Sequence, residues 1–284
     1  MPFFLGLMQA AAGDNMVLYG ILGLGTLTAL IALGFGFLRN LFEIITAPTA
    51  SLRHHGHSDN VFFSVVMVFL GGLIATFILV VSQEQLSQSF NDYASTVSSD
   101  IAMMNSNPTY RDIAEKNCLD RMNGNFNVYL MNNLVFFPVV MVILWLVIGF
   151  LAFLGARMFG GQCTVGDFLS STAYGAFFSS IGLGMAFLLF LQLLASSASQ
   201  DFGQLGQPNI LGIIGAILLV YGVILFLIGA VQAAELTGGQ LVGVIFILLV
   251  VLGGLSYWGY YSSNQAFEDF SSEIQTFNPA TGST

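Results

Sequence analysis

Six stretches of this chain run for about twenty residues or more without a single charge, and no other feature limits its possible folds so strongly. They lie at approximately 17–38, 61–81, 134–156, 173–195, 210–231 and 240–261. A helix needs about 20 apolar residues to cross a bilayer. Transmembrane barrel strands are shorter and alternate apolar with polar positions. These runs are apolar all round, so they read as helices. The six Lys and Arg, the fifteen Asp and Glu and the three His all fall outside them. Composition points the same way: 56% of residues are hydrophobic and 7% charged, against roughly a quarter charged in a soluble domain. A net charge of −9 leaves no basic stripe for a phosphate backbone, so no nucleic-acid partner is expected. The expectation is an all-α, polytopic membrane helix bundle with six transmembrane helices.

Orientation follows from Arg39, Arg53 and Arg157, which parity places on one side. The segments 1–16, 196–209 and 262–284 hold no Lys or Arg. The positive-inside rule then puts the 39–60 and 157–172 loops in the cytoplasm and both termini outside. Arg111, Lys116 and Arg121 lie deep in a long outer loop and count for less. No signal peptide is expected, because Met1-Pro2-Phe3-Phe4 has no basic start; residues 1–12 suit a short interfacial helix instead. Cys118 falls in the outer loop and Cys163 in an inner one, so they do not pair within one chain. Two unrelated thiols are expected, with an intermolecular bridge at Cys118 as the alternative.

The 82–133 loop is the one sizeable polar segment. Leu86, Phe90, Tyr93, Val97, Ile101 and Met104 are spaced 4, 3, 4, 4, 3, which predicts a helix over 83–104 with one apolar face. Asn107-Pro108 reads as a cap followed by proline in the first helical position, opening a second helix near 108–122. Asn123-Gly124 reads as the turn that ends it. An outer helical hairpin results, with its stripe offered to the bundle rim, the lipid interface or another protein. In the acidic tail, Phe267, Phe270, Ile274 and Phe277 repeat the theme among Glu268, Asp269 and Glu273. Anionic lipid would repel that face, so a protein contact is expected there. On the inner side, Phe42, Ile45, Thr49 and Leu52 form a stripe across Pro48, read as an interfacial helix kinked or restarted at the proline.

Chemistry has few footholds. His54, His55 and His57, with Asp59 nearby, are the one candidate metal set. They are nearly contiguous, lack a helical i, i+4 pair and flank the flexible Gly56, so no metal or cofactor is expected there. Proton relays and ion-coupled transporters place ionisable groups at membrane depth, and the spans supply only hydroxyls, amides, Tyr and the pair Trp145 and Trp258. Asp167 and Glu235 sit at inner ends of spans, where capping a helix start or pairing with Arg157 is expected. Small residues recur at helix-packing spacing: Ala152 and Ala156, Gly71-Gly72, Gly182 and Gly184, Gly212 and Ala216, Gly222, Gly229 and Ala233, and Gly253-Gly254.

Several motifs in order carry a resemblance. Ile44-Ile45-Thr46-Ala47-Pro48 precedes a span, and Gly155-Ala156-Arg157-Met158-Phe159-Gly160-Gly161 ends another. Thr164-Val165-Gly166-Asp167-Phe168-Leu169-Ser170-Ser171-Thr172-Ala173-Tyr174 opens the next. A later span runs from Tyr221-Gly222 through Gly229-Ala230 into Leu236-Thr237-Gly238-Gly239-Gln240. Together, over roughly 40–261, these resemble the Yip (Ypt/Rab-interacting protein) family of multispanning membrane proteins, its prokaryotic branch in particular. The resemblance implies a five-span domain over 39–261, preceded by an added segment and span at 1–38 and followed by the acidic outer tail 262–284. It also implies the prokaryotic cytoplasmic membrane as location. Eukaryotic members bind Rab-type GTPases. This chain lacks a clear counterpart of their acidic, Tyr-Gly-Pro-type signature, which argues against GTPase binding.

The functional expectation is a non-enzymatic scaffold or accessory subunit working through contacts with the lipid bilayer and with other integral membrane proteins or itself. Candidate contact residues are Leu86, Phe90, Tyr93, Val97, Ile101, Phe267, Phe270 and Phe277. A passive channel is the alternative, with a polar path from Ser179, Ser180 and Gln192. A cofactor-bearing subunit using His54, His55 and His57 is the third reading.

Overall fold

The structure is a computed structural model that describes residues 24, 25, 28, 39–49, 61–103, 110–198 and 210–275. Regular structure among them is entirely helical. After a helical stretch at 39–46 come α1 (Val61–Val81), α2 (Gln83–Met103), α3 (Arg111–Met158), α4 (Val165–Ala198), α5 (Ile210–Ala234) and α6 (Gly238–Gln275). The candidate loop His54, His55 and His57, the Asn107-Pro108 pair, Phe277 and most of the 17–38 run lie outside the described residues.

Four helical segments are long and apolar enough to cross a membrane: Val61–Val81, Phe136–Met158, Val165–Leu193 and Ile210–Ala234. The expected run at 240–261 lies within α6, whose apolar stretch among the described residues is the shorter Gly238–Val250. Their outward faces are as apolar as their inward ones. Phe136, Ile143, Val147 and Phe150 on α3, and Ile217, Val220 and Ile224 on α5, are all exposed. In water such surfaces would drive association; hydrocarbon accepts them.

The chain folds back and forth between two ends. At the turn end, α3 hands over to α4 and α5 to α6. At the far end, α2 and the first half of α3 continue past α1. The core between them is built on close backbone approach. An added Cβ on Gly175 or Gly182 of α4 would strike the backbone of Phe226 or Leu219 on α5. One on Gly215, Gly222 or Gly229 of α5 would strike Ala186, Ser179 or Ser171 on α4. Both glycine sets recur every seventh residue, so they share one seam along the antiparallel pair. α1 packs on α4 in the same way, with Gly71 against Phe177 and Ala75 against Gly184. The helical stretch 39–46 is pinned by Ile44, which is fully buried, and the Tyr221 hydroxyl donates to the Ile44 carbonyl at 3.3 Å. The expected interfacial stripe of Phe42 and Ile45 faces outward from the bundle, while Ile44 packs into it.

α2 forms where the apolar period predicts a helix, within a residue of the expected end. Its stripe lies against α3 and, at Leu86, also against α1 and α4. Leu86 and Ile101 are buried; Phe90, Tyr93 and Val97 are half-buried. The Phe90 ring stacks on Phe126 with centroids 3.9 Å apart and planes 5° from parallel. Ile101 packs with Ala102, Ala114 and Cys118. The second helix departs from expectation. Its N-cap is Tyr110, with no side-chain cap bond, and Asn123-Gly124 does not end it. α3 continues past the pair to a length of 48 residues, with Pro138 inside it, about 72 Å at 1.5 Å per residue. The Asn123 amide donates to the Asn91 side chain of α2 at 2.8 Å, and Phe126 lies under Phe90 just beyond. Contacts on both sides of the Asn-Gly pair hold it helical, and a local turn preference is too weak to break a helix so anchored.

Candidate functional site

The turn end holds Arg157, Cys163, Asp167 and Glu235 of the residues that the sequence singles out. α3 closes with a Schellman arrangement: the Gly160 N–H donates to the Arg157 carbonyl at 3.1 Å and the Gly161 N–H to the Ala156 carbonyl at 2.8 Å. Gly160 sits at φ +92°, a left-handed conformation that glycine adopts without cost. α5 closes alike, with the Leu236 N–H donating to the Val231 carbonyl at 3.2 Å. There the left-handed position is filled by Glu235 at φ +52°. Glu235 thus takes a backbone position where glycine is usual, and its side chain is exposed.

Each turn then opens the next helix with one half of a capping box. Thr164 precedes α4: its Oγ1 accepts from the Asp167 N–H at 3.1 Å and donates to Asp167 Oδ2 at 2.7 Å. Thr237 precedes α6: its N–H and its Oγ1 donate to Gln240 Oε1 at 2.7 and 3.0 Å. The first pairs the Asp167 N–H and the second the Thr237 N–H, groups that helix starts leave unpaired. The two turns are also tied to each other. The Gln162 N–H donates to the Ala234 carbonyl at 3.3 Å, and Gln240 Nε2 donates to the Phe159 carbonyl. Gly161 backs directly onto Ala234.

Of the two roles expected for Asp167, it takes the capping one. Arg157 turns to the Gly161 carbonyl at 3.5 Å and stands 6.0 Å from the Phe153 ring centroid. Thr164, Thr237 and Gln240 were missed as cap residues, although the Thr-x-x-Asp and Thr-x-x-Gln spacings announce them. Cys163 lies half-buried in the first turn and Cys118 fully buried between α2 and α3, both as free thiols. Burial pushes each thiol up from its ordinary value; Arg157 opposes this at Cys163 and Arg121 at Cys118. Such thiols are poor nucleophiles, and at 0% exposure Cys118 is inaccessible for the intermolecular bridge considered above.

Elsewhere several polar groups of the bundle are occupied by helix contacts, while the buried Ser170 hydroxyl has no hydrogen-bond partner among the described residues. The Trp145 N–H donates to Thr172 Oγ1 at 3.3 Å, and that hydroxyl donates to the Phe168 carbonyl at 3.0 Å. The Ser180 hydroxyl donates to the Ala176 carbonyl at 2.7 Å, whereas Ser179 packs against Gly222. Neighbouring residues on a helix point about 100° apart, so Ser179 and Ser180 face different directions. Among the described residues, no group of three or more His, Cys, Asp or Glu lies close enough to hold a metal ion. The buried ends of the stripe are covered by the chain itself, Ile101 by α3 and Leu86 by residues of α1, α3 and α4. Phe267 and Phe270 lie on the last turns of α6.

The fold therefore defines an all-helical bundle with four helices long and apolar enough to span a membrane. Comparison with known families, with curated proteins and with solved structures finds no match to this chain.

Proposed function

We propose that this chain is a non-enzymatic integral membrane scaffold or accessory subunit, acting through contacts made by its apolar outer faces and by an outer α2–α3 hairpin. The observation that carries this reading is the close backbone packing of α4 on α5. Helix backbones meet along the α4–α5 glycine seam, and Ser179 and Ser180, two of the three groups named for a channel path with Gln192, are engaged in packing or backbone bonds. Close-packed helices with a helical pair projecting from them suit recognition better than passage. In this reading the chain crosses the membrane six times, with α6 and the 17–38 run supplying the last two spans. It lies in a prokaryotic cytoplasmic membrane with both termini outside, and its likeness to the Yip family rests on the sequence motifs alone.

The test is purification of the full chain from its native membrane in mild detergent, followed by mass spectrometry and by solute flux in liposomes. An integral membrane partner at fixed stoichiometry, with no flux from the isolated chain, is the expected result. A chain that purifies alone and moves solute would overturn the proposal in favour of the channel.

A further inference from the structure

One strip of α1 touches both of its neighbours at once. Gly71 and Ala75 meet Phe177 and Gly184 of α4; Gly72 and Thr76, one position on, meet Pro138 and Leu134 of α3. The second pair coincides with the weak point of α3. Pro138 lies inside that helix and has no N–H, so the Leu134 carbonyl four residues earlier loses its helical donor. An unpaired carbonyl at membrane depth is costly, and a proline is accommodated there only when a neighbour supplies a replacement. Thr76 supplies it. Its hydroxyl lies 3.3 Å from the Leu134 carbonyl and 2.9 Å from the Gly72 carbonyl of its own helix, so one proton serves two acceptors. Thr76 is fully buried, which leaves no water to take its place. Gly72 has no side chain because Pro138 occupies that space: an added Cβ would stand 2.6 Å from Pro138 Cα.

The other helix of the pair begins at a weak point of its own, at Ser82, about 15 Å further along the α1 axis than Gly72. Ser82 alone separates α1 from α2, and the chain crosses it on two bonds, Ser82 N–H to the Ile78 carbonyl at 3.0 Å and Leu86 N–H to the Ser82 carbonyl at 2.9 Å. Beyond both breaks, α2 and the first half of α3 are joined to each other by the Phe90–Phe126 stack and the Asn91–Asn123 bond. Their base is seated on α4, where Leu86 and Leu134 share a cluster with Leu188 and Leu191.

We propose that Thr76 and Gly72 form a latch on the Pro138 break, which fixes the angle between the α2–α3 pair and the bundle; when the Thr76 hydroxyl turns wholly to Gly72, the pair tilts as one body about Ser82 and Pro138. The device joins the bundle to the projecting pair through α1, whatever the pair contacts.

The test uses the full chain in liposomes with spin labels at Asp112→Cys on the pair and Ile210→Cys at the far end of α5, both exposed, in a Cys118→Ala/Cys163→Ser background. Pulsed dipolar spectroscopy should give one narrow distance distribution. Thr76→Val, which keeps shape and removes the donor, should broaden it or add a second population several ångströms away; Thr76→Ser should restore the narrow one. Pro138→Ala returns a backbone donor to Leu134, so Thr76→Val in that background should change nothing further. An unchanged distribution in Thr76→Val overturns the proposal, as does an equal broadening in the Pro138→Ala background. Should Thr76→Val not fold, the Thr76→Ser and Pro138→Ala distributions still decide it: the latch requires Thr76→Ser to match the native chain and Pro138→Ala to shift from it.

Discussion

Glu235 shows how little a residue's type says about its task until its backbone is known. A carboxylate beside a span invites a functional reading, yet this residue stands in the left-handed position of a Schellman turn. A non-glycine residue there costs about 1–2 kcal/mol. Glu235→Gly should therefore stabilise the protein by about 1 kcal/mol, read as a raised midpoint in detergent unfolding; a lower midpoint would show that the side chain holds something the turn does not. Thr164→Ala should cost about 1 kcal/mol by removing one arm of the capping box. The thiols give a pH prediction. Both are raised by burial, so the folded state binds its proton more tightly than the unfolded one. The resulting stability is fully present below the unfolded thiol range, about 8.5, and is lost as pH rises through the folded values. Maleimide should label Cys163 slowly at neutral pH and faster as pH rises, while Cys118 reacts only on denaturation. Rapid labelling of Cys118 in the folded protein would contradict its burial.

Helices were legible in proportion to how much of their information is local. The 83–104 helix follows from the spacing of Leu86, Phe90, Val97 and Ile101, and the buried face of α2 largely follows from it too. What covers that face did not, because a stripe states that something packs on it without naming what. The Asn123-Gly124 turn failed for the opposite reason: the local signal was present, and contacts from α2, some thirty residues away in the chain, overrode it. Glycines make the same point. The sequence reading marks Gly182, Gly212, Gly222 and Gly229 as close-packing positions, but it passes over Gly175 and Gly215, and the shared seam emerges only when α4 and α5 lie antiparallel. That register separates two classes of glycine. Gly215→Ala or Gly222→Ala would drive a methyl into the facing helix, and overpacking of this kind costs about 1–3 kcal/mol. At Gly253 and Gly254 of α6 an added Cβ meets nothing within 4 Å, so alanine there should be neutral or stabilising by up to about 1 kcal/mol. A thermal series in one detergent checks both, and equal effects at all four positions would refute the seam.

At the scale of the molecule, the two ends differ in kind. The turn end is closed by two interlocked helix junctions, where backbone and capping bonds leave little freedom. The far end carries a long helical pair held on the bundle by one buried threonine and a small leucine cluster. Orientation decides which of these ends a cytoplasmic partner meets, and the sequence argues it from Arg39, Arg53 and Arg157. The buried Cys118 cannot report on it, since a label would be refused for lack of access and not for sidedness. Asp112 on α3 and Glu235 at the turn end are both exposed and lie at opposite ends of the bundle. In a Cys118→Ala/Cys163→Ser background, a membrane-impermeant maleimide applied to intact cells should label Asp112→Cys and spare Glu235→Cys until the membrane is opened. The opposite pattern would place the paired helices in the cytoplasm. The arginine rule would then have been outweighed by Arg111, Lys116 and Arg121 on that pair, the one other group of basic residues in the chain.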